Sequence, residues 1–161
     1  MIHALKVFAA LVLLLAGCES TGGSSGAGQI SPGDASAIRL RHLDAVNAVR
    51  AQENLVPLQL SAELNAAAET QARDMAVQGR AWHFGSDLTS PRERAFRAGY
   101  RGEIVGENIS EGSDTDLEVL QSWLGFADTR AVMVAPDARG LGLGWYRDQT
   151  GKDWWVQVVG E

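Results

Sequence analysis

The chain has 161 residues, a single cysteine and a formal net charge of −6 from 14 basic and 20 acidic side chains. One cysteine excludes an internal disulfide and a cysteine-rich zinc module, and an acidic chain is ill suited to neutralising nucleic-acid phosphates, so no nucleic-acid partner is expected. The length suits one domain and falls short of the roughly 250 residues of a β/α barrel.

The first segment reads as an address. Val7 to Leu15 is an unbroken apolar run of nine residues, too short to span a bilayer, which needs about 20. It has the length of a secretory h-region and runs into Leu15-Ala16-Gly17-Cys18, which resembles a bacterial lipobox. We therefore expect residues 1–17 to be a lipoprotein signal peptide and Cys18 to be lipidated. An ordinary signal peptide cut after Ala16 or Gly17 and an uncleaved anchor are the alternatives. Glu19 after the cysteine favours the outer membrane in a Gram-negative cell. Loss of residues 1–17 takes Lys6 with it, so −6 becomes −7. Such a surface is not drawn to anionic lipid, and the expected membrane contact is through the lipid on Cys18. Residues 18–36 are rich in Gly and Ser and predict a flexible linker reaching roughly 20–25 Å.

The folded domain is expected over 37–161. Ile38, Leu40, Leu43, Ala45, Val46 and Val49 predict a helix from about Ala37 to Asn54 with one apolar face, capped by Asp34 or Ser36. On that reading His42 is a solvated residue. Ser61 is an N-cap for a second helix that runs to Gln78 and stops at Gly79. Ser90-Pro91-Arg92-Glu93 has capping-box spacing and predicts a short helix to Ala98. Its arginines, with Arg101, read as a solvated face paired with Glu93 and Glu103, or as a site for lipid phosphates. Ile104-Val105 is a short strand candidate, with Glu107 and Asn108 at its end or in a turn. Thr115 opens a helix to about Leu124, with Leu117, Leu120 and Leu124 on one face. Leu141–Arg147 and Trp154–Val159 predict an antiparallel hairpin, and the glycines of Gly140-Leu-Gly-Leu-Gly144 mark a strand approached closely by another element. Helices followed by strands argue an α+β fold with helices on an antiparallel sheet.

Neither Gly-x-Ser-x-Gly nor His-Glu-x-x-His occurs. Two features carry chemistry: His83, between the aromatics Trp82 and Phe84, and Gly106-Glu107-Asn108-Ile109. A buried Glu needs a donor, a cation or a proton, and His83 can serve as the donor.

Four blocks in order, Val46–Arg50 with Asn54–Leu58, Leu64–Met75 with His83, Gly106-Glu107-Asn108-Ile109, and Gly142–Gly144 with Trp154–Gly160, resemble the CAP superfamily (cysteine-rich secretory proteins, antigen 5, pathogenesis-related 1), in its bacterial secreted branch. The resemblance implies an α-β-α sandwich with a central cleft. In many members two His and two acidic residues line that cleft and hold a divalent metal. Here the matching cleft residues are His83, Glu107 and Asn108, while Thr129 stands at the second His and Phe126 at a serine position that carries Glu in many eukaryotic members. His83 and Glu107 are then the metal candidates, joined by Asp128 if the loop is shifted by one, short of the three or four ligands of a firm zinc site, and no cofactor is expected. The resemblance implies a non-enzymatic module that binds a lipid or envelope component in the cleft. The alternative is a hydrolase using His83 and Glu107 with a hydroxyl from Ser86, Ser110 or Thr129. An open His83 near a hydroxyl favours the hydrolase, and a His83 sealed under Phe84, Trp123 and Phe126 opposes it.

Overall fold

The structure is a computed structural model that describes residues 32–161. The expected signal peptide, Cys18 and the linker up to residue 31 lie outside the described residues. In chain order the elements are α1 (Pro32–Gln52), β1 (Gln59–Leu60), α2 (Ala62–Gln78), α3 (Pro91–Arg97), β2 (Ile104–Glu111), α4 (Asp116–Leu124), α5 (Ala127–Met133), β3 (Gly140–Arg147) and β4 (Asp153–Gly160). Helix α1 thus begins five residues inside the segment read as linker.

The strands form one sheet in the order β1-β3-β4-β2. β4 lies between β3 and β2, antiparallel to both, and β1 joins β3 in parallel through two residues. The sheet is therefore mixed, not purely antiparallel. Parallel pairing follows because the chain reaches β3 from β1 through several intervening helices and another strand rather than a tight turn.

Each face of the sheet carries its own core. Trp155 and Val159 of β4, with Leu141 and Leu143 of β3, pack with Val46 of α1, Val119, Leu120 and Trp123 of α4 and Met133 of α5. Trp154, Val156 and Val158, on the opposite pleat, pack with Leu64, Ala68, Ala72 and Met75 of α2 and Ala95 of α3. Period-two alternation along one wholly buried strand thus serves two layers at once, and the α+β class with helices on both faces holds.

Local chemistry sets the ends of three helices. Ser61 accepts from the Leu64 N–H at the start of α2, and Gly79 ends it in the left-handed region at φ 69°. Ser90 and Glu93 form a reciprocal capping box on α3, with Pro91 in the first turn. Thr115 caps α4, but Glu118 reaches back to the Asp114 N–H rather than to the cap residue.

The glycines of β3 explain how α2 lies so close to the sheet. A Cβ on Gly142 would stand 2.2 Å from the Leu64 backbone, and one on Gly144 would stand 2.2 Å from the Glu69 nitrogen. Only hydrogen leaves room there.

The buried face of α1 is shifted from the expected one. His42, Val46 and Arg50 are fully buried, four residues apart, whereas Leu40 is 53% exposed. Arg50 is buried because its guanidinium donates to the carbonyls of Val56, Met133, Ala135 and Ala138, which ties α1 to the turn between α5 and β3. His42 is likewise interior, not solvated. In α4 the buried residues are Asp116, Val119, Leu120 and Trp123, while Leu117 is exposed. Asp116 is buried because it pairs with Arg41 on α1.

Candidate functional site

His83 follows α2 in a short irregular stretch hung between two helices. Gln71 of α2 donates to the Trp82 carbonyl at 2.6 Å, and Arg94 of α3 donates to the His83 carbonyl at 2.9 Å. Arg80 lies over the Trp82 ring at 3.9 Å. The backbone is thus fixed while the imidazole side chain remains half exposed.

Glu107 sits in the middle of β2, paired with Val158 of β4, not at a strand end. Its carboxylate is 2% exposed and both oxygens are taken. Oε1 lies 2.9 Å from His83 Nδ1, and Oε2 accepts from Arg94 Nη2 at 2.6 Å. The Arg94 side chain is itself only 4% exposed and also donates to the Thr89 carbonyl. A buried carboxylate is costly alone and tolerable when paired and hydrogen-bonded. Here a buried guanidinium supplies the charge and an imidazole supplies the second contact. The solvated basic face expected of these arginines therefore does not include Arg94, which stands at the centre of the site. Arg92 and Arg97 do pair at the surface, with Glu103 and Asp87.

The expected cleft set divides across the sheet. Alternation along β2 turns Glu107 toward α3 and Asn108 toward α5. Asn108 Nδ2 donates to the Thr129 carbonyl at 2.9 Å and to Gln157 Oε1 at 3.1 Å. The chain of bonds continues from Gln157 Nε2 to His42 Nε2 at 2.9 Å, and from His42 Nδ1 to the Asp116 carbonyl at 3.2 Å. With a carbonyl as its partner Nδ1 must carry the proton, and Nε2 accepts. Burial pushes the His42 imidazole down to about 4. Gly106 completes the motif: a Cβ there would lie 2.7 Å from the Val132 side chain, so the glycine lets α5 rest against β2. In Gly106-Glu107-Asn108, then, glycine seats α5, glutamate holds His83, and asparagine ties α5 and α1 to the sheet.

Thr129 lies on α5, which sequence patterning did not predict, and its hydroxyl donates to the carbonyls of Trp123 and Phe126. Among the described residues no hydrogen bond joins the His83–Glu107 pair to the Asn108–Thr129 pair. Nor does a hydroxyl serve His83: Ser86 donates to Asp74, and Ser110 is on the β2 face opposite Glu107. The aromatic seal is absent as well, since Phe84 and Phe126 are exposed and Trp123 packs edge-on against His42.

The divalent metal implied by the resemblance does not fit these residues. Arg94 already puts a fixed cation on Glu107, and the Thr129 hydroxyl is engaged with backbone. Among the described residues no three His, Cys, Asp or Glu side chains group as ligands.

Beside this site a groove of about 590 Å³ lies between α2 and α3, lined also by Gly85, Ser86, Asp87 and Thr89 of the loop that joins them. That loop is built firmly. Gly85 and Thr89 close it through backbone, Asp74 accepts from Ser86, and hydrogen bonds from Thr89 and Arg97 hold the Asp87 carboxyl down at about 2. Arg94 borders both the groove and Glu107. His83 and Glu107 are not among the groove's lining residues.

Known proteins resemble this chain in sequence and in fold. The family described as "CAP: Cysteine-rich secretory protein family" matches residues 43–159. The uncharacterized protein YkwD of Bacillus subtilis is 27% identical over 131 residues, 81% of this chain and 50% of that protein, so the chain spans half the length of this relative. An extracellular protein containing a SCP domain from Bacillus anthracis superposes with a TM-score of 0.71 at 22% identity, covering 83% of this chain and 45% of that one. An outer surface protein from Borrelia burgdorferi gives a TM-score of 0.68 at 17% identity, covering 83% of this chain and 98% of that one.

Proposed function

This chain belongs to the CAP, or cysteine-rich secretory protein, family, and from that premise we propose that it is an exported, lipid-anchored binding module of the cell envelope that meets a lipid or other envelope component at His83. Export is supported by the similar structures, which come from an extracellular protein and an outer surface protein. Anchoring rests on the apolar run Val7 to Leu15 and the Leu15-Ala16-Gly17-Cys18 that follows from it.

One observation carries the choice of binding over catalysis. Both oxygens of Glu107 are occupied, by His83 and by the buried Arg94, and no Ser or Thr hydroxyl among the described residues bonds to His83. Hydrolysis needs a nucleophile or an activated water as well as a base. Glu107 has no oxygen left for a substrate proton, whereas His83 Nε2 is left pointing away from its carboxylate partner on a half-exposed ring. That arrangement suits one directional hydrogen bond to a ligand.

The hydrolase reading has a specific observation in its favour: an imidazole oriented by a buried carboxylate is half of a nucleophile-base pair. One comparison separates the two. Wild-type chain and His83→Ala are assayed for binding to vesicles of envelope lipid and to soluble envelope glycan, and for release of product from peptide and cell-wall substrates. Binding that falls in the variant, with no turnover by either protein, is the expected result. Turnover by the wild type that disappears in His83→Ala overturns it.

A further inference from the structure

Among the described residues β2 is an edge strand, with β4 on one side and no strand on the other. The bonds at the two ends of β4 fix which way its main chain faces. The Gly112 N–H donates to the Asp153 carbonyl, and the Arg139 N–H donates to the Gly160 carbonyl. Main-chain groups alternate along an antiparallel strand, so β4 turns its odd-numbered residues toward β2 and its even-numbered ones toward β3. Val158 and Val156, which stand opposite Glu107 and Ile109, therefore bond to β3. The main-chain groups of Glu107 and Ile109 point away from the sheet.

Trp123 confirms that direction, because its indole donates to the Ile109 carbonyl at 3.2 Å from the outer side. Among the described residues no protein group bonds there to the N–H or C=O of Glu107, or to the N–H of Ile109. Solvent reaches this stretch: Glu107 is 9% exposed as a residue but 2% exposed through its side chain, so its exposure lies on the main chain. The open stretch is bracketed by the register shift between Ile104 and Gly106 and by the Trp123 indole. Edge strands are commonly guarded by proline, lysine or a covering segment, and residues 104–111 contain neither proline nor lysine.

We propose that the outer edge of β2 takes an extended peptide as an added antiparallel strand. One peptide residue exchanges both main-chain bonds with Glu107, and the residue two before it accepts from the Ile109 N–H. An N–H and C=O from one residue, with a further N–H two residues on, is the repeat of an antiparallel ladder. A peptide main chain completes that repeat, whereas an acyl chain leaves all three groups unpaired. A second copy is a poorer match. Two β2 edges paired about Glu107 would set both His83 rings on one face, over Cα atoms about 5.5 Å apart, with each His83 loop held by Gln71 and Arg94. A lone extended segment brings no such loop. The pleat puts the peptide side chain opposite Glu107 on the His83 side and its neighbours on the α5 side. The edge thus lies beside His83 but binds through main chain alone, which goes beyond the reading of His83 given above.

The test uses the full chain in detergent micelles. The probes are the blocked pentapeptide acetyl-Thr-Val-Thr-Val-Thr-amide and its analogue N-methylated at every residue, which can donate no main-chain bond from those residues. The parent peptide should shift the amide NMR signals of Glu107 and Ile109 and slow their hydrogen exchange. Exchange at Asn108 and Ser110, whose amides face β4, should stay as it was. The N-methylated analogue should leave all four unmoved. Ile109→Pro removes an N–H on the open side of an edge strand, where proline is tolerated. With its fold intact by circular dichroism, it should bind the peptide about fivefold more weakly, the effect of one lost hydrogen bond of roughly 1 kcal/mol. His83→Ala should keep the peptide shifts while losing lipid or glycan binding, so this reading and the one above fail separately. The proposal is overturned if the Glu107 and Ile109 amides stay still at ~10 mM peptide, if the N-methylated analogue moves them as the parent does, or if Ile109→Pro folds and binds as well as wild type. It is also overturned if raising the concentration of the chain alone moves those signals, as pairing of two copies would, or if palmitate or a chitin disaccharide moves them and the peptide does not.

Discussion

Burial sets the chemistry of His42, whereas His83 keeps half of its ring in solvent. With its pKa pushed down to about 4 from an ordinary 6.5, His42 refuses a proton that the unfolded chain accepts. Stability is therefore undiminished above pH 6.5 and falls as pH drops from 6.5 toward 4, by about 3 kcal/mol in all. Urea midpoints measured at pH 7, 5.5 and 4, beside an NMR titration of the His42 ring, should show this slope; a His42 ring that titrates near 6.5 would refute it. The two members of the His83–Glu107 pair should differ as sharply in what they hold. Glu107→Ala leaves the Arg94 guanidinium buried without a counter-charge, and about 3–5 kcal/mol of stability should be lost, whereas His83→Ala removes a half-exposed ring and should cost no more than about 1 kcal/mol. Thermal melts of the two variants settle the order, and equal losses would mean that Arg94 finds another partner. These residues also mark where a linear sequence stops being informative. Arg94 sits among Arg92, Arg97 and Arg101, and nothing local distinguishes the one whose carboxylate lies 13 positions away on a neighbouring strand.

Elements bounded by their own neighbours in sequence were legible, and those bounded by distant ones were not. α2 and α3 start and stop where Ser61, Gly79 and the Ser90–Glu93 box put them, because a cap is a contact across three residues. α5 carries no local start signal, because its N-cap, Phe126, makes no side-chain cap bond. β1 carries none either, being two residues that become a strand only by pairing with β3. The α1 helix is legible in the sequence but its buried face is not, because the sides of His42 and Arg50 are decided by Gln157 and the carbonyls after α5. The His83–Glu107 contact follows from the need of a buried Glu for a donor, whereas grouping Asn108 and Thr129 with them ignores the pleat that sends adjacent β2 residues to opposite faces. The contact of α2 with β3 yields its own prediction. Gly142→Ala drives a methyl into the Leu64 backbone, which cannot yield as a side-chain tip can, and should cost about 3 kcal/mol. Gly151→Ala, in the β3–β4 turn with no atom within 4 Å of the added carbon but φ at 87°, should cost about 1 kcal/mol through backbone strain alone. Denaturant midpoints for the two variants test whether helix-to-sheet contact, rather than loss of glycine as such, is the sensitive feature.

On the scale of the whole molecule, the proposal assigns location to residues 1–18 and contact with a ligand to the described domain, 32–161. Cys18→Ser should move the chain from the membrane fraction to the soluble one without altering its melting temperature, and immunoblots of fractionated cells check this; retention of the variant on membranes would mean that the apolar run itself, or the domain, does the holding. The fold has a further implication in time. β4 is the strand on which both cores and both long strand partners converge, and it is also the last of the described elements to leave the ribosome. Until residues 153–160 exist, β2 and β3 have no common neighbour, and α2 lacks the sheet's central strand. The pairings that matter most join distant parts of the chain, the arrangement that slows folding. The described domain of a growing chain therefore stays open until β4 has been made, and any machinery that handles unfolded polypeptides can meet it before it closes.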